Sequence, residues 1–511
     1  MAPRRRRALI ACSFLALCAF VASGRTVAYD SRSQLTEAAH FCNTGHVSAR
    51  HKLTGDFVPK HFTEDAGVWY DANDIGGTLL VLPSACASAL FGQKNPHHTT
   101  SLVTGAKVGA SLTFAIVGGI GVAFLFLTLA RLIGDRRAFW WTVAFLFATA
   151  YLAYVRGIWN VLPAAAAISG LMYAIGLQFP EGTLPRISGA GVPEQPATAP
   201  EAPAAAHPMR VLCGAVVAVG LACLCRYSLG PFLIPAATLA MWPTIRRVTP
   251  RQRLLVVGLL LFMLLPDLWY NQLRTGRFWV PGEAAPQWEP LHITGQYLLG
   301  TLGMFFGVQR GLLFYAPVCL LGYAAVLALI WRTRGFARIA WATALACAVA
   351  YATTVVLLHN WYVYGWGPRY LVPLLPVLFV ATVVACETHV IPRAAAYIAV
   401  GFGLVTQAPV AFTNWHAMLA VVGVQDRAPN GITGLWNSFV HGLTTGRSFG
   451  GTKSPRTLEV PDTWWWHAVG SHLPYVIGIV IAAAGLAAVI TYGARHANEA
   501  SDSFGPTPIE A

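Results

Sequence analysis

Apolar residues in this chain are gathered into blocks of roughly 17–25, the length a helix needs to cross the hydrocarbon core of a bilayer. Such blocks fall at about 8–23, 108–130, 138–154, 157–179, 210–225, 229–243, 254–270, 312–331, 339–357, 369–386, 394–412 and 472–492. The pattern predicts an all-α integral membrane protein, a bundle of about twelve transmembrane helices. Three long stretches interrupt it, at 24–107, 271–311 and 413–471, and with the first block starting inside the cell all three lie outside. Within the first of them Leu35, Ala38, Ala39 and Phe41 recur at helical spacing, which predicts a short amphipathic helix over Ser33–Cys42 lying at the membrane interface. The stretch 180–208 carries Pro180, Pro185, Pro193, Pro196, Pro200, Pro203 and Pro208 among Ala and Gly and reads as a flexible cytoplasmic linker. One polytopic domain over 1–495 and a disordered cytoplasmic tail over 496–511 complete the expected organisation.

Composition sharpens this picture in two ways. Of 511 residues 56% are hydrophobic and only 11% are charged, so every charge near an apolar block is a candidate for a specific task. The net charge of +14 does not point to nucleic acid, because much of the Lys and Arg lies in short loops that alternate with less basic ones. Arg4 to Arg7 place the N-terminus in the cytoplasm, and Arg131, Arg136, Arg137, Arg246, Arg247, Arg251, Arg253, Arg332, Arg334, Arg338, Arg393 and Arg495 then fall on the same side. A competing reading makes the first block a cleaved signal peptide, with Val21-Ala22-Ser23 before the cut. Eight of the ten cysteines lie in or beside apolar blocks. Cys42 and Cys86 lie in the first external loop, where an oxidising environment would let them pair.

Candidate chemistry concentrates in that loop. Asp30, just past the first block, is a carboxylate reachable from both lipid and water. Asp71 and Asp74 read first as turn and cap residues and second as substrate contacts. Arg156 and Arg226 sit in very short external turns, with Asn160 beside Arg156. Trp361, Tyr362, Tyr364 and Trp366 form an interfacial aromatic belt whose rings could also stack on a ligand. His46, His51, His61 and Glu64 match no compact metal signature, so no metal ligand is assigned. No phosphate-binding glycine loop, dinucleotide fingerprint or nucleophile elbow is present.

Four segments recur in an order that carries a resemblance. They are Tyr29-Asp30-Ser31, Trp69 to Gly77 leading into Leu79–Pro83, Gly307 to Pro317, and Trp366 to Pro373. Together, over about 8–412, they make the chain similar to the GT-C superfamily of membrane glycosyltransferases, in the branch of protein O-mannosyltransferases and lipid A aminoarabinose transferases. The resemblance implies a sugar donor on a polyprenyl phosphate, taken up from membrane lipid, and a catalytic base at Asp30. One carboxylate suffices when the leaving group is already a stable phosphate anion, unlike the carboxyl pair of glycoside hydrolysis. Where many relatives carry a second acid this chain has Ser31, so a divalent metal stays open and no cofactor is assigned. Arg369 and Arg310, at external block ends, suit the donor phosphate. Tyr370 and Trp361 join Asp71, Asp74 and Arg156 as candidate substrate contacts. A protein hydroxyl, a glycolipid and a polysaccharide all fit as acceptor. The rival readings are a transporter or flippase of lipid-linked sugars, which would place ionisable groups at mid-membrane, and a non-catalytic scaffold.

Overall fold

The computed structural model describes residues 3–23, 29–47, 62–65, 68–71, 73–92, 104–179, 181, 207–279, 296–308, 310–357, 367–411, 436, 440, 465 and 475–498. Eighteen α-helices of four residues or more carry the description below. They are α1 (Pro3–Val21), α2 (Tyr29–Thr44), α3 (Ile75–Gly92), α4 (Thr104–Ile133), α5 (Asp135–Ala148), α6 (Tyr151–Val155), α7 (Val161–Gly176), α8 (Pro208–Cys225) and α9 (Gly230–Ala240). The second half supplies α10 (Trp242–Arg247), α11 (Pro250–Thr275), α12 (Gln296–Phe306), α13 (Leu312–Tyr315), α14 (Pro317–Arg332), α15 (Gly335–Leu357), α16 (Leu375–Glu387), α17 (Arg393–Gln407) and α18 (Tyr475–Asn498). A 3-10 turn, Arg369–Leu374, leads into α16. Six helical stretches among the described residues are long and apolar enough to cross a bilayer: Gly105–Ile133, Pro208–Cys225, Pro250–Thr275, Gly335–Leu357, Arg369–Glu387 and Arg393–Ala411. Shorter apolar helices pack among them.

The helix α11 shows why the bundle belongs in lipid. Its start is fixed by Pro250 at the first position and by a capping box between Thr249 and Gln252, and it ends at Gly276 with φ +67°. Its buried residues are Asp267, Tyr270, Asn271 and Arg274, while Leu254, Leu255, Phe262, Leu265 and Trp269 are each more than half exposed. Polar side chains inward and large apolar ones outward would not persist in water. They are stable when the surroundings are hydrocarbon. This is a multi-pass membrane protein.

The helix α4 is the hub, packing on α1, α3, α5 and α7; α7 packs on α8, α8 on α11, and α14 on α15 and α16. The helix α1 turns Ile10, Phe14, Leu17, Cys18 and Val21 inward at helical spacing, and Phe14 meets Phe126 and Phe139 at centroid distances of 5.9 and 5.5 Å. Ion pairs fasten one end of the bundle. Arg7 and Arg6 reach Asp135 at 2.7 and 3.4 Å, Arg131 reaches Glu181 at 3.0 Å, and Glu387 takes Arg137 at 3.1 Å, Arg393 at 3.4 Å and the Trp141 indole at 3.2 Å.

Three departures from the expected pattern bear on the site. The block 138–154 is broken between α5 and α6, because the Thr149 hydroxyl donates to the Phe145 carbonyl (2.7 Å) and accepts from the Tyr151 N–H (3.2 Å). Residues 157–160, counted with the next block, instead join Arg156 in a buried turn ahead of α7. The loop between α1 and α4 contains more than an interfacial helix: it holds α2, an antiparallel hairpin of β1 (Phe62–Asp65) and β2 (Val68–Asp71) in which Phe62 pairs with Asp71, and the apolar helix α3. The first half of α2 is enclosed by protein rather than laid on a surface, with Ser31 and the run Ser33–Ala38 all buried.

Cys42 near the end of α2 is disulfide-bonded to Cys86 in α3, with α-carbons 5.1 Å apart. The bond closes a loop with a sequence separation of 44, which on loop-closure entropy is worth about 4 kcal/mol. In purified protein neither thiol should react with maleimide until a reductant is added. Cys42→Ser should lower the thermal midpoint and make the segment between α2 and α3 more sensitive to protease, whereas free labelling of both cysteines in unreduced protein would contradict the bridge.

Candidate functional site

At the end of the bundle opposite the ion pairs, the loop between α1 and α4 docks on the end of α11 through buried polar groups. The Arg274 guanidinium donates to the carbonyls of Asn73 (2.6 Å) and Asp71 (3.2 Å), to the Asn271 amide oxygen (2.6 and 3.0 Å) and to the Asp74 carboxylate (3.4 Å), and it lies 4.7 Å above the Tyr270 ring. The Tyr270 hydroxyl donates to Glu37 and to the Asp71 carbonyl. Glu37 also accepts from the Thr78 hydroxyl at 2.9 Å. Asp71 shapes the turn after β2 by accepting from the backbone N–H and the side-chain amide of Asn73, at 3.1 and 3.0 Å. Asp267, one turn before Tyr270, is buried close enough to feel the charges of Asp74 and Arg274.

From this network position is passed to a second group of residues. Asp74 accepts the backbone N–H of Tyr227 at 3.1 Å, which fixes the turn carrying Arg226. Asn160 donates to the Asp74 carbonyl (3.2 Å) and accepts from Gln34 of α2 (3.0 Å). The contact needs Gly77: a β-carbon there would lie 1.9 Å from the Asn160 oxygen. The Ser31 hydroxyl donates to the Ile158 carbonyl at 2.6 Å and so pins the first turn of α2 to the 156–160 turn. Beside that anchor, the Arg369 guanidinium lies 4.6 Å above the Trp159 ring and 5.1 Å from the Tyr370 ring, while the Arg226 guanidinium lies 4.1 Å from the same Tyr370 ring. Two buried cations thus share one aromatic ring.

The candidates drawn from sequence are distributed around these two groups. Asp30 belongs to the first turn of α2, next to the Ser31 anchor, and its side chain lies outside the described residues. Arg369 and Tyr370 are central. Arg310 is half-buried in the neighbouring turn; its charge acts on Tyr315, whose ring packs against Gly367 two residues before Arg369, so the third and fourth motifs abut. Arg156 is committed to structure, donating to the carbonyls of Val21 at 3.0 Å and Val410, which closes the ends of α1 and the segment after α17. Asp71 and Asp74 are turn residues as expected, and both are also members of the buried network. Trp361, His51 and His61 lie outside the described residues. Among the described residues no group of three His, Cys, Asp or Glu side chains is arranged to hold a metal.

Glu37 and Arg274 were not singled out from sequence. Glu37 sits between Leu35 and Ala38 on a helix read as superficial, and Arg274 looks like any basic residue ending an apolar helix. The one available signal was Arg274 following Asp267 by two helical turns, which puts opposite charges on one face of α11.

Burial raises the Glu37 carboxyl above its usual range, against the opposing pull of the Tyr270 and Thr78 hydroxyls, the Asp71 N–H and Arg274. Asp71 is raised further, first by burial and then by the charge of Glu37 beside it. The two carboxyls titrate as a pair. A carboxyl whose folded-state pKa is raised contributes stability that is full below its unfolded value of about 4 and lost as pH rises through the folded value. The thermal midpoint in detergent should therefore fall as pH is raised above that unfolded range, and Asp71→Asn should flatten this slope. Arg274→Met should cost about 3–5 kcal/mol, because it strands a buried carboxylate and two carbonyls. Arg274→Lys should restore little, since an ammonium cannot fork to Asn73 and Asn271 together. A midpoint in Arg274→Met within a degree of the wild type would contradict the assignment.

No family model matches the chain, and no curated protein matches it. Among solved structures it is similar to two crystal structures of ArnT from Cupriavidus metallidurans. One, bound to undecaprenyl phosphate, is 15% identical with a TM-score of 0.45, the match covering 96% of this chain and 74% of that one. The other, in the apo state, is 16% identical with a TM-score of 0.44, covering 95% of this chain and 72% of that one.

Proposed function

We propose that this protein is a membrane glycosyltransferase of the GT-C kind, which moves a sugar from a polyprenyl-phosphate donor to an acceptor hydroxyl on the external face of the membrane. The observation that supports this best is the convergence of Arg226 and Arg369 on Tyr370, beside the turn to which the first turn of α2, with Asp30, is anchored. Two guanidiniums brought together below the surface of a bilayer repel each other, and a phosphate between them turns that cost into attraction. Arg369 and Arg226 hold the donor phosphate, and Arg310 approaches it from the neighbouring turn. A cleft of about 360 Å³ lined by Leu224, Phe262, Met263, Leu265, Pro266 and Trp269 begins two residues from Arg226 and lies between α8 and α11. It suits the first isoprene units of a chain that enters from lipid.

In the reaction the acceptor oxygen attacks the anomeric carbon as the bond from that carbon to the phosphate oxygen breaks. Polyprenyl phosphate leaves with the bonding electrons, and the acceptor proton passes to the Asp30 carboxylate, with inversion at the sugar. Asp30 is the general base. The arginines count most as the phosphate gains charge, so they bind the transition state more strongly than the donor. No step draws on a metal or nucleotide. A transporter would be expected to keep ionisable groups at mid-membrane. Here Asp267 and Arg274 lie toward the loop end of α11, and Arg274 is bonded to residues 71–74.

Asp30→Asn should lower turnover by about 10²–10⁴ while the donor still binds, because the amide keeps the shape of the carboxyl and cannot take a proton. The check is transfer by purified protein from a panel of polyprenyl-phosphate sugars to an acceptor extract; transfer by Asp30→Asn within a few-fold of the wild type would rule out this mechanism.

Arg369→Ala and Arg226→Ala should each weaken donor binding and slow turnover, since the phosphate is charged before and after the bond breaks. Isothermal titration with polyprenyl phosphate, alongside the transfer assay, separates the two effects. Unchanged donor affinity in both variants would place the phosphate elsewhere.

A further inference from the structure

The seam between α8 and α11 that holds the cleft beside Arg226 has a second opening at the other end of the bundle. There α9 and α10 join it to enclose an apolar cavity of about 280 Å³, lined by residues that include Leu212, Val216, Ile234, Met241, Val256 and Leu260. The two openings are separated. Gly220 of α8 approaches α11 so closely that a β-carbon would lie 2.6 Å from the Met263 β-carbon, which closes the seam between them. A polyprenyl chain seated by its phosphate near Arg226 has no continuous path to the second cavity along this seam.

The mouth of that cavity is basic. Trp242 lines it and is 44% exposed, with the Arg246 guanidinium 5.1 Å above its ring. Arg253 also lines it and is held there by its bonds to the carbonyls of Ile245 (3.1 Å) and Arg246 (3.4 Å). Arg247 and Arg251 are exposed beside them, and the whole stretch 208–253 contains no Asp or Glu. A basic rim around an apolar slot open to lipid matches a molecule with an anionic head and a hydrocarbon tail. The tryptophan at the rim sits where the headgroup and chain of such a molecule meet.

We infer that this cavity binds one anionic phospholipid of the adjoining leaflet, an acyl chain in the slot and the phosphate among Arg246, Arg251 and Arg253. The site is independent of the proposed transfer reaction and stands or falls separately from it. Its ligand is a resident of the membrane rather than a substrate, and occupation would brace α8, α9 and α11 from the side opposite the donor cleft.

The test uses the full-length protein in detergent, titrated with phosphatidylglycerol or phosphatidylcholine of identical acyl chains, with bound lipid counted by native mass spectrometry. The wild type should retain one phosphatidylglycerol in preference to phosphatidylcholine. Replacing two exposed arginines in Arg246→Gln/Arg251→Gln should weaken phosphatidylglycerol binding about thirtyfold and leave phosphatidylcholine unchanged. Val216→Trp, which fills the slot and keeps the rim, should abolish the tight site. Equal binding of the two lipids by the wild type would overturn the proposal, as would a phosphatidylglycerol preference that survives Val216→Trp, which marks surface charge alone. One-for-one displacement of phosphatidylglycerol by added polyprenyl phosphate would also overturn it, since the slot would then belong to the donor's tail. The glutamine substitutions lie on exposed side chains, so an unchanged melting temperature secures the comparison if Val216→Trp fails to fold.

Discussion

The buried fork of Arg274 is the interaction on which the loop end of this protein depends. Irregular backbone beside a bilayer is tolerated only where protein satisfies its carbonyls and N–H groups, and residues 71–74 are such a segment. One guanidinium answers two of their carbonyls and the Asp74 carboxylate, and Asn271 holds it in place from one turn earlier. A lysine would offer three donors from a single nitrogen and lack the spread, planar fork that spans these partners. The cost of burying this charge is offset by the number of its bonds and by the Tyr270 face beneath it.

From that fork the chain of contacts runs to the cations without a gap. Asp74 faces Arg274 on one side and takes the Tyr227 N–H on the other, so the turn bearing Arg226 is set by the same carboxylate. Asn160 couples that segment to Gln34, and Ser31 couples α2 to Ile158. The disulfide from Cys42 to Cys86 then limits how far α2 can move from α3. The Ser31 anchor thus holds the backbone of the turn that carries Asp30 against the 156–160 turn. The carboxyl pair Glu37 and Asp71 sits inside the same assembly, so its proton count bears on the stability of the loop.

The opposite end is built on another principle. There the arginines Arg6, Arg7, Arg131, Arg137 and Arg393 meet Asp135, Glu181 and Glu387 near the ends of helices, and all these pairs except the buried Arg6–Asp135 are partly open to water. Exposed pairs add little stability individually. Their effect is to fix which helix ends lie together, and nearby Arg246 stands over the exposed Trp242 ring. Polar groups are thereby divided between a buried cluster at one end and a more exposed basic collar at the other.

The sequence by itself determined the membrane character and the principal apolar segments, because a block of about twenty apolar residues has few stable fates other than a spanning helix. It also marked Arg369 and Tyr370 through their motif and singled out Cys42 and Cys86 as the cysteines that could pair if that face is oxidising. It could not place Glu37, whose partner Tyr270 lies 233 residues away, nor Arg274, whose partner Asp74 lies 200 residues away. It read α2 as a surface helix, since Leu35, Ala38, Ala39 and Phe41 describe a one-sided stripe and say nothing of what covers the other side. Only the tertiary structure showed that polar residues of α2 and α11 face each other. Periodicity records which side of a helix avoids water, whereas a buried hydrogen bond is a relation between two distant segments, and neither segment carries it alone.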